Sequence, residues 1–401
     1  MELSISYSSF RGPTIIPQRF KASAHDNRLI PIKTTTNQLS LPPVQQLYGE
    51  SRFSKSFFCG QHKRNPIRAC DQVEPAGSDS DSVLAKAQFE SGSSDPVLAK
   101  VTRFGSVYYK FLRPYATHEA IISAICLFAR VFVENPQLFR WPLLFKAFPG
   151  LIAIILTHAY FIGINQIYDV DIDRVNKPYL PIPAGDVSLK QAWFLMIFNL
   201  LVGLLIFRLM DADLITTSIY CLGIFFSTFY SAPPFRFKKY SITASIVLPL
   251  TCSVLHNVGV VYATRASLGL PFMWSPPVVF ITTFATLFFV VLSIIKDLTD
   301  VEGDMKYNIR TFAAIFGPKN ITFLGTGILL VNYTGAIAAT VFMPKAFKSY
   351  IMLPAHAIFA LWLLFQARKL DKANYTKEAS ANFFQFLWKL LNLEFILFLF
   401  I

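Results

Sequence analysis

Carboxylates are scarce in the apolar part of this 401-residue chain, and where they occur they cluster. Of fifteen after residue 100, seven stand in two short windows. The first window is Asn165-Gln166-Ile167-Tyr168-Asp169-Val170-Asp171-Ile172-Asp173. The second is Lys296-Asp297-Leu298-Thr299-Asp300-Val301-Glu302-Gly303-Asp304. On a helix, Asn165, Asp169 and Asp173 form one stripe of four-residue steps, and Asp297, Asp300 and Asp304 share a face by a three-then-four step. Asp171 points away and reads as a solvated bystander. Glu302 falls off the second face, and Gly303 reads as the point where that helix loosens. Two oxygen-rich stripes facing each other repel unless a cation sits between them. Hard oxygen ligands, with positions left for water and phosphate, suit Mg²⁺. Either cluster alone reads equally well as a solvated helix end; the inference rests on having two.

Cations accompany both windows. Arg174 and Lys177 follow the first, and Tyr230-Ser231-Ala232-Pro233-Pro234-Phe235-Arg236-Phe237-Lys238-Lys239 ends another apolar stretch, with the prolines stopping the helix. Arginine grips phosphate oxygens as a planar fork and lysine acts as a point charge. Lys238 and Lys239 read equally well as topogenic charge. No GxxxxGK[ST] or GxGxxG run is present, so a nucleotide-binding fold is not supported. His118 and His158 fall in predicted helices and read as core histidines, while His256 and His356 have no acidic neighbour in sequence. Five cysteines without a CxxC pair exclude a zinc ribbon.

The elements that must carry these residues are membrane helices. The chain is 53% hydrophobic and only 15% charged, with mean hydropathy +0.45, against about 25% charged residues in ordinary soluble proteins. Nine apolar stretches approach the roughly 20 residues that a bilayer requires, near 117–133, 144–167, 191–210, 213–230, 242–263, 277–295, 321–342, 350–366 and 383–401. With nine crossings, the flank before the first and the loops after every even one hold seventeen lysines and arginines, and the alternate loops six. Basic residues collect on one side when a helix count is right. Both acidic windows then open on that basic side. The net charge of +13 is therefore read as topology and targeting, not as a nucleic-acid surface.

Residues 1–70 differ from the rest, with ten basic, three acidic and thirteen Ser/Thr residues. That profile is expected of a plastid transit peptide, and Ile67-Arg68-Ala69-Cys70 resembles a plastid processing site. Residues 71–104 read as a disordered linker and 105–401 as the transmembrane domain.

The two windows resemble the paired signature motifs of the UbiA-type intramembrane prenyltransferases, and Asn176-Lys177-Pro178-Tyr179-Leu180-Pro181 and Tyr230-Ser231 are similar to that family's plant branch, which prenylates aromatic acceptors. The resemblance covers roughly 105–401. It implies an all-α polytopic bundle of about nine transmembrane helices, Mg²⁺, a prenyl diphosphate donor and a phenolic acceptor in a lipid setting. By the same resemblance Asn165, Asp169 and Asp173 would hold one ion and Asp300 and Asp304 a second. Arg113, Lys177, Tyr230, Ser231 and Arg236 would bind the diphosphate. Asp297 would lie nearer the acceptor and take up its proton, with Arg113 also catalytic. Phe161, Phe225, Phe226, Phe229 and Phe288 lie on motif-bearing or adjacent helices and could offer ring faces to an allyl cation, while most of them read as lipid-facing or core. Tyr115 and Thr299 depart from the family pattern, neither of them at a position that would hold a metal.

The expected reaction is dimethylallyl transfer to a flavonoid-, chalcone-, stilbene- or coumarin-type phenol, in a plastid membrane with the site facing the stroma. A homogentisate phytyl- or solanesyltransferase is the alternative. A transporter is the rival from another class, since intramembrane carboxylates also mark ion paths. Clusters at helix ends on one side, ringed by phosphate-binding cations, favour an enzyme.

Overall fold

A computed structural model of the protein describes residues 96–307 and 309–401, and among them all regular structure is helical. The expected transit peptide lies outside the described residues, as does the linker up to residue 95. An amphipathic helix, α1 (Pro96–Phe111), begins inside the stretch expected to be a disordered linker.

Among the described residues, eight helices are long and apolar enough to cross a bilayer. They are α2 (Pro114–Glu134), α3 (Trp141–Tyr168), α5 (Leu189–Leu209), α6 (Leu214–Ser231), α7 (Ser241–Ser267), α8 (Pro276–Ile295, continued as a 3₁₀ turn to Thr299), α11 (Pro318–Phe342) and α12 (Ser349–Lys372). Short helices α4 (Val170–Asn176), α9 (Val301–Lys306) and α10 (Phe312–Phe316) lie between them. The ninth expected crossing is α13 (Lys377–Phe398), which falls outside that set of eight. Lys389 and Glu394 interrupt its apolar run, yet Glu394 is buried and faces His356 on α12, Oε2 to Nε2 3.4 Å. The acidic neighbour that His356 lacks in sequence is supplied by another helix.

Local chemistry accounts for the ends. Ser188 and Gln191 form a capping box on α5, and Asp213 caps α6 by accepting from the Thr216 N–H at 2.6 Å. Pro249 lacks an N–H to continue the ladder of α7, and the helix widens at once into a π turn over Leu250–Leu255. Helix α8 is the most apolar, with mean hydropathy 2.7, because it is enclosed by neighbours on most sides. Phe284, Phe288, Phe289, Leu292 and Ile295 are almost fully buried there. By contrast, α5 turns Phe194, Phe198, Leu201 and Leu205 outward, at the helical spacing of a lipid-facing stripe.

Cross-chain contacts fix which ends lie together. Lys177 meets Asp300, Lys238 meets Asp169, Arg113 approaches Asp173 and Lys319 approaches Asp371, so the basic loops share one end. At the other end Ser275 and Arg265 meet Glu134, and Tyr262 donates to Asp213. The alternation expected from charge holds for the loops that these contacts join.

Candidate active site

Both acidic windows are built the same way. Helix α3 stops at Tyr168, Asp169 takes φ −109°, ψ 8°, and α4 restarts at Val170. Helix α8 tightens into its 3₁₀ turn, Asp300 takes φ −109°, ψ −1°, and α9 restarts at Val301. The sequence suggested uninterrupted stripes. Instead each central aspartate sits at a break, which turns its carboxyl off the helix wall and into the space between the two elements. The stripes survive because the ladder resumes across the break: Asp173 N–H donates to Asp169 O at 2.7 Å, and Asp304 N–H to Asp300 O at 2.9 Å.

Asn176 ties the two windows together. Its buried Oδ1 accepts from the Gly303 N–H at 3.0 Å, and a Cβ built on Gly303 would stand 2.2 Å from that oxygen. Gly303 is therefore required by a close approach of α4 to α9, and not by a loosening of the helix.

The carboxylates are met by cations from other elements. Lys238 Nζ lies 2.5 Å from Asp169, with Arg236 at 3.7 Å, and Lys177 pairs with Asp300. Thr299 Oγ1 donates to Asp300 at 2.8 Å, Thr311 Oγ1 to Asp304 at 3.1 Å, and Lys296 pairs with Asp297 at 2.5 Å. Arg113 reaches Asp173 only at 3.8 Å, and Asp173 Oδ2 is buried without a hydrogen bond. Arg113 and Arg236 both hold positive φ, 49° and 45°, where a bulky residue is uncommon. Backbone strain of about 1–3 kcal/mol persists where surroundings over-determine it, and such residues gather at functional sites.

The electrostatics are uneven. Burial pushes the Asp173 carboxyl up, offset only in part by Lys177 and Arg113. Burial, with Asp297 and Asp300 nearby, pushes Asp304 up to about 7. Burial also works against Asp300, but Lys177 and Thr299 outweigh it and hold that carboxyl below its usual range. Lys238 is pushed down to about 8 by burial, even with Asp169 against it. Two carboxyls lack sufficient positive charge, which is the condition a bound cation relieves.

Arg113, Asn165, Asp169, Asp173, Lys177, Tyr230, Arg236, Asp297, Asp300 and Asp304 all line one cavity of about 1040 Å³. Ser231 does not; it lies fully buried behind Asn165 and accepts from its side-chain amide at 3.2 Å. Asp171 pairs with Arg174 on the surface, as a bystander would. Of the five phenylalanines singled out, Phe161 lines the cavity, Phe225 is 42% exposed on the outer face and Phe288 is core. Lys238, Lys296, Asn176 and Thr311 belong to the site and were missed. The lysines were indistinguishable from topogenic charge, and Thr311 carried no signal until the chain folded back.

Below the polar rim the cavity is apolar, walled by side chains such as Leu151, Ile154, Leu248 and Phe289, and it extends to Lys146, Asp211 and Ser267 at the opposite end of the bundle. Helices α2, α3, α5, α6, α7, α8 and α13 line this chamber, α11 and α12 pack outside it, and the charged site at one end belongs to a polytopic helical bundle of the intramembrane kind.

Residues 122–390 match the UbiA prenyltransferase family, and the chain belongs to it. It is 43% identical to a chloroplastic homogentisate solanesyltransferase of Arabidopsis thaliana over the full length of both chains. It is 45% identical to a 2-acylphloroglucinol 4-prenyltransferase of Humulus lupulus over 88% of this chain and 84% of that one. A chloroplastic naringenin 8-dimethylallyltransferase of Sophora flavescens stands at 25%, over 77% of this chain and 76% of that one. A UbiA homolog from Archaeoglobus fulgidus, solved with GPP and Mg²⁺, shares the fold at TM-score 0.52 and 20% identity, covering 73% of this chain and 98% of that one.

Proposed function

We propose that the protein transfers a prenyl group from a prenyl diphosphate to a ring carbon of a monocyclic phenol, with homogentisate as acceptor and Mg²⁺ as cofactor. The carrying observation is the pair of broken helices that turn Asp169 and Asp300 toward one cation-ringed chamber. The donor set fits Mg²⁺. Asn165, Asp169 and Asp173 on one wall and Asp300 and Asp304 on the other offer hard oxygens, and Asp173 Oδ2 makes no hydrogen bond, with only Arg113 approaching it at 3.8 Å. Among the described residues no three acidic, histidine or cysteine side chains converge by themselves as a metal cage. That suits an ion held by one or two carboxylates plus substrate phosphate.

When bound, Mg²⁺ makes diphosphate a better leaving group. The chain's own residues do the rest. Arg113, Lys177, Arg236 and Lys238 provide fixed positive charge where the leaving group accumulates negative charge. The apolar walls keep water from the allylic cation left when the C–O bond ionises, and Phe161 is among the residues lining the same space. The phenol ring attacks, and its displaced proton passes to Asp297, whose carboxyl lies on the cavity wall against Lys296.

The relatives above 40% identity carry names for homogentisate and acylphloroglucinol, which supports a simple phenol over the flavonoid type expected from sequence. A chamber running the length of the bundle supports a long donor over dimethylallyl. The chloroplastic names of relatives support a plastid membrane, with the basic rim toward the stroma. Membranes containing the protein are to be incubated with Mg²⁺ and a matrix of donors (dimethylallyl, geranylgeranyl, phytyl and solanesyl diphosphate) and acceptors (homogentisate, an acylphloroglucinol and naringenin). Product is expected with homogentisate and a long donor. Product from naringenin and dimethylallyl diphosphate alone would reverse the assignment.

A further inference from the structure

About two turns along α2 from Arg113, the apolar cavity wall becomes polar again. Glu119 lies there, 3% exposed, with Oε1 free of any hydrogen bond. One turn further along α2, Ser123 Oγ donates to Ala120 O at 3.2 Å and lies 2.9 Å from His256 Nε2. His158 on α3 faces the same chamber and carries a buried Nε2 without a partner. His256 follows directly on the π turn of α7, a helix irregularity that often marks functional positions. Three helices thus bring a carboxyl group, a hydroxyl and two imidazoles to one patch, six residues and about 9 Å along the helix from Arg113. None of these residues belongs to either acidic window.

Neither Glu119 Oε1 nor His158 Nε2 has a protein partner, and unpaired buried polar atoms are costly. A prenyl tail, being hydrocarbon, offers them nothing. A ring bearing two or more hydroxyls offers an O–H to the carboxyl oxygen and a second polar group to the imidazole.

We propose that Glu119, His158 and His256 form the recognition site for the acceptor's phenolic hydroxyls, with Ser123 behind them fixing the His256 ring, and that they hold a polyhydroxylated ring beneath the diphosphate. The inference rests on the prenyltransferase reading, and binding measured without donor separates the two. Purified protein in detergent is titrated with radiolabelled homogentisate, and turnover is measured with donor and acceptor varied in turn. Glu119→Leu is expected to weaken homogentisate binding and raise its KM by about tenfold or more, the worth of a hydrogen bond to a buried group. Donor KM should stay within about twofold on the same principle, because Glu119 lies away from the diphosphate rim. Glu119→Gln, which keeps an acceptor oxygen, should bind within about threefold of wild type. Ser123→Ala and His158→Phe carry the same test should the leucine variant fail to accumulate. Unchanged homogentisate affinity in these variants, equal movement of donor and acceptor KM, or no binding of homogentisate to the wild type would overturn the proposal. Wild-type binding without transfer to any phenol would sink the prenyltransferase reading and leave this site standing.

Discussion

Lys238 pairs with Asp169 and Lys177 with Asp300. Under the proposed function these carboxylates would hold divalent ions, and each lysine would then have a phosphate oxygen to turn to, so that the charge of the pair would be exchanged and not stranded. The lysines would thus serve donor binding and the aspartates metal binding. Removing a fixed donor from such a site costs about 10²–10³-fold in turnover. Asp169→Ala and Asp300→Ala are each expected to lose at least that much, with membrane insertion intact by protease protection. Lys238→Met should raise donor KM about tenfold, the cost of one charge-assisted contact, and leave acceptor KM unchanged. Near-wild-type turnover in both aspartate variants would refute the metal roles.

Between residues and fold stands the junction of α4 with α9. It sets how far apart Asp173 and Asp304 lie, and it is held by the bond from Gly303 N–H to Asn176 Oδ1 in a contact with no room for a methyl group. Gly303→Ala must push the Asn176 side chain aside and break that bond. Overpacking of this kind costs about 1–3 kcal/mol. The variant is expected to melt earlier and turn over more slowly, with both windows displaced. Asn176→Ala in the same chain removes the clashing atoms, so the double variant should recover part of the melting temperature lost by Gly303→Ala. A strictly additive double variant would show that the two residues do not act through this contact.

At the level of the whole bundle, charge sorting and contact geometry agree. Loops after α3, α6 and α8 meet at one end, while Glu134, Arg265 and Tyr262 mark the other. The outer surface is an apolar girdle, with Phe194, Phe198 and Leu201 turned away from the core. Single cysteines placed at Asp186 and Lys306 in a cysteine-free background should react with a membrane-impermeant maleimide from the same side of sealed vesicles. One placed at Lys345 should react only after the vesicles are opened. Labelling of Asp186 and Lys306 from opposite sides would contradict the shared rim on which the site depends.

Hydrophobic length and charge asymmetry alone were enough for the helical class, for eight of the nine expected crossings and for the gathering of basic loops at one end, because each is set by transfer of short segments into lipid. The paired aspartate windows were legible for a similar reason: helical spacing is local. Lys238, Lys296 and Thr311 were not, since a lysine that orients a loop and a lysine that meets Asp169 look alike until distant elements pack. The same holds for Gly303, whose need for a bare Cα arises from Asn176, 127 residues away. The Glu119–Ser123–His256 patch joins helices whose residues share no motif. Local propensity and lipid transfer act within one segment, whereas the match of a buried polar atom to its partner exists only between segments, and only the folded bundle supplies it.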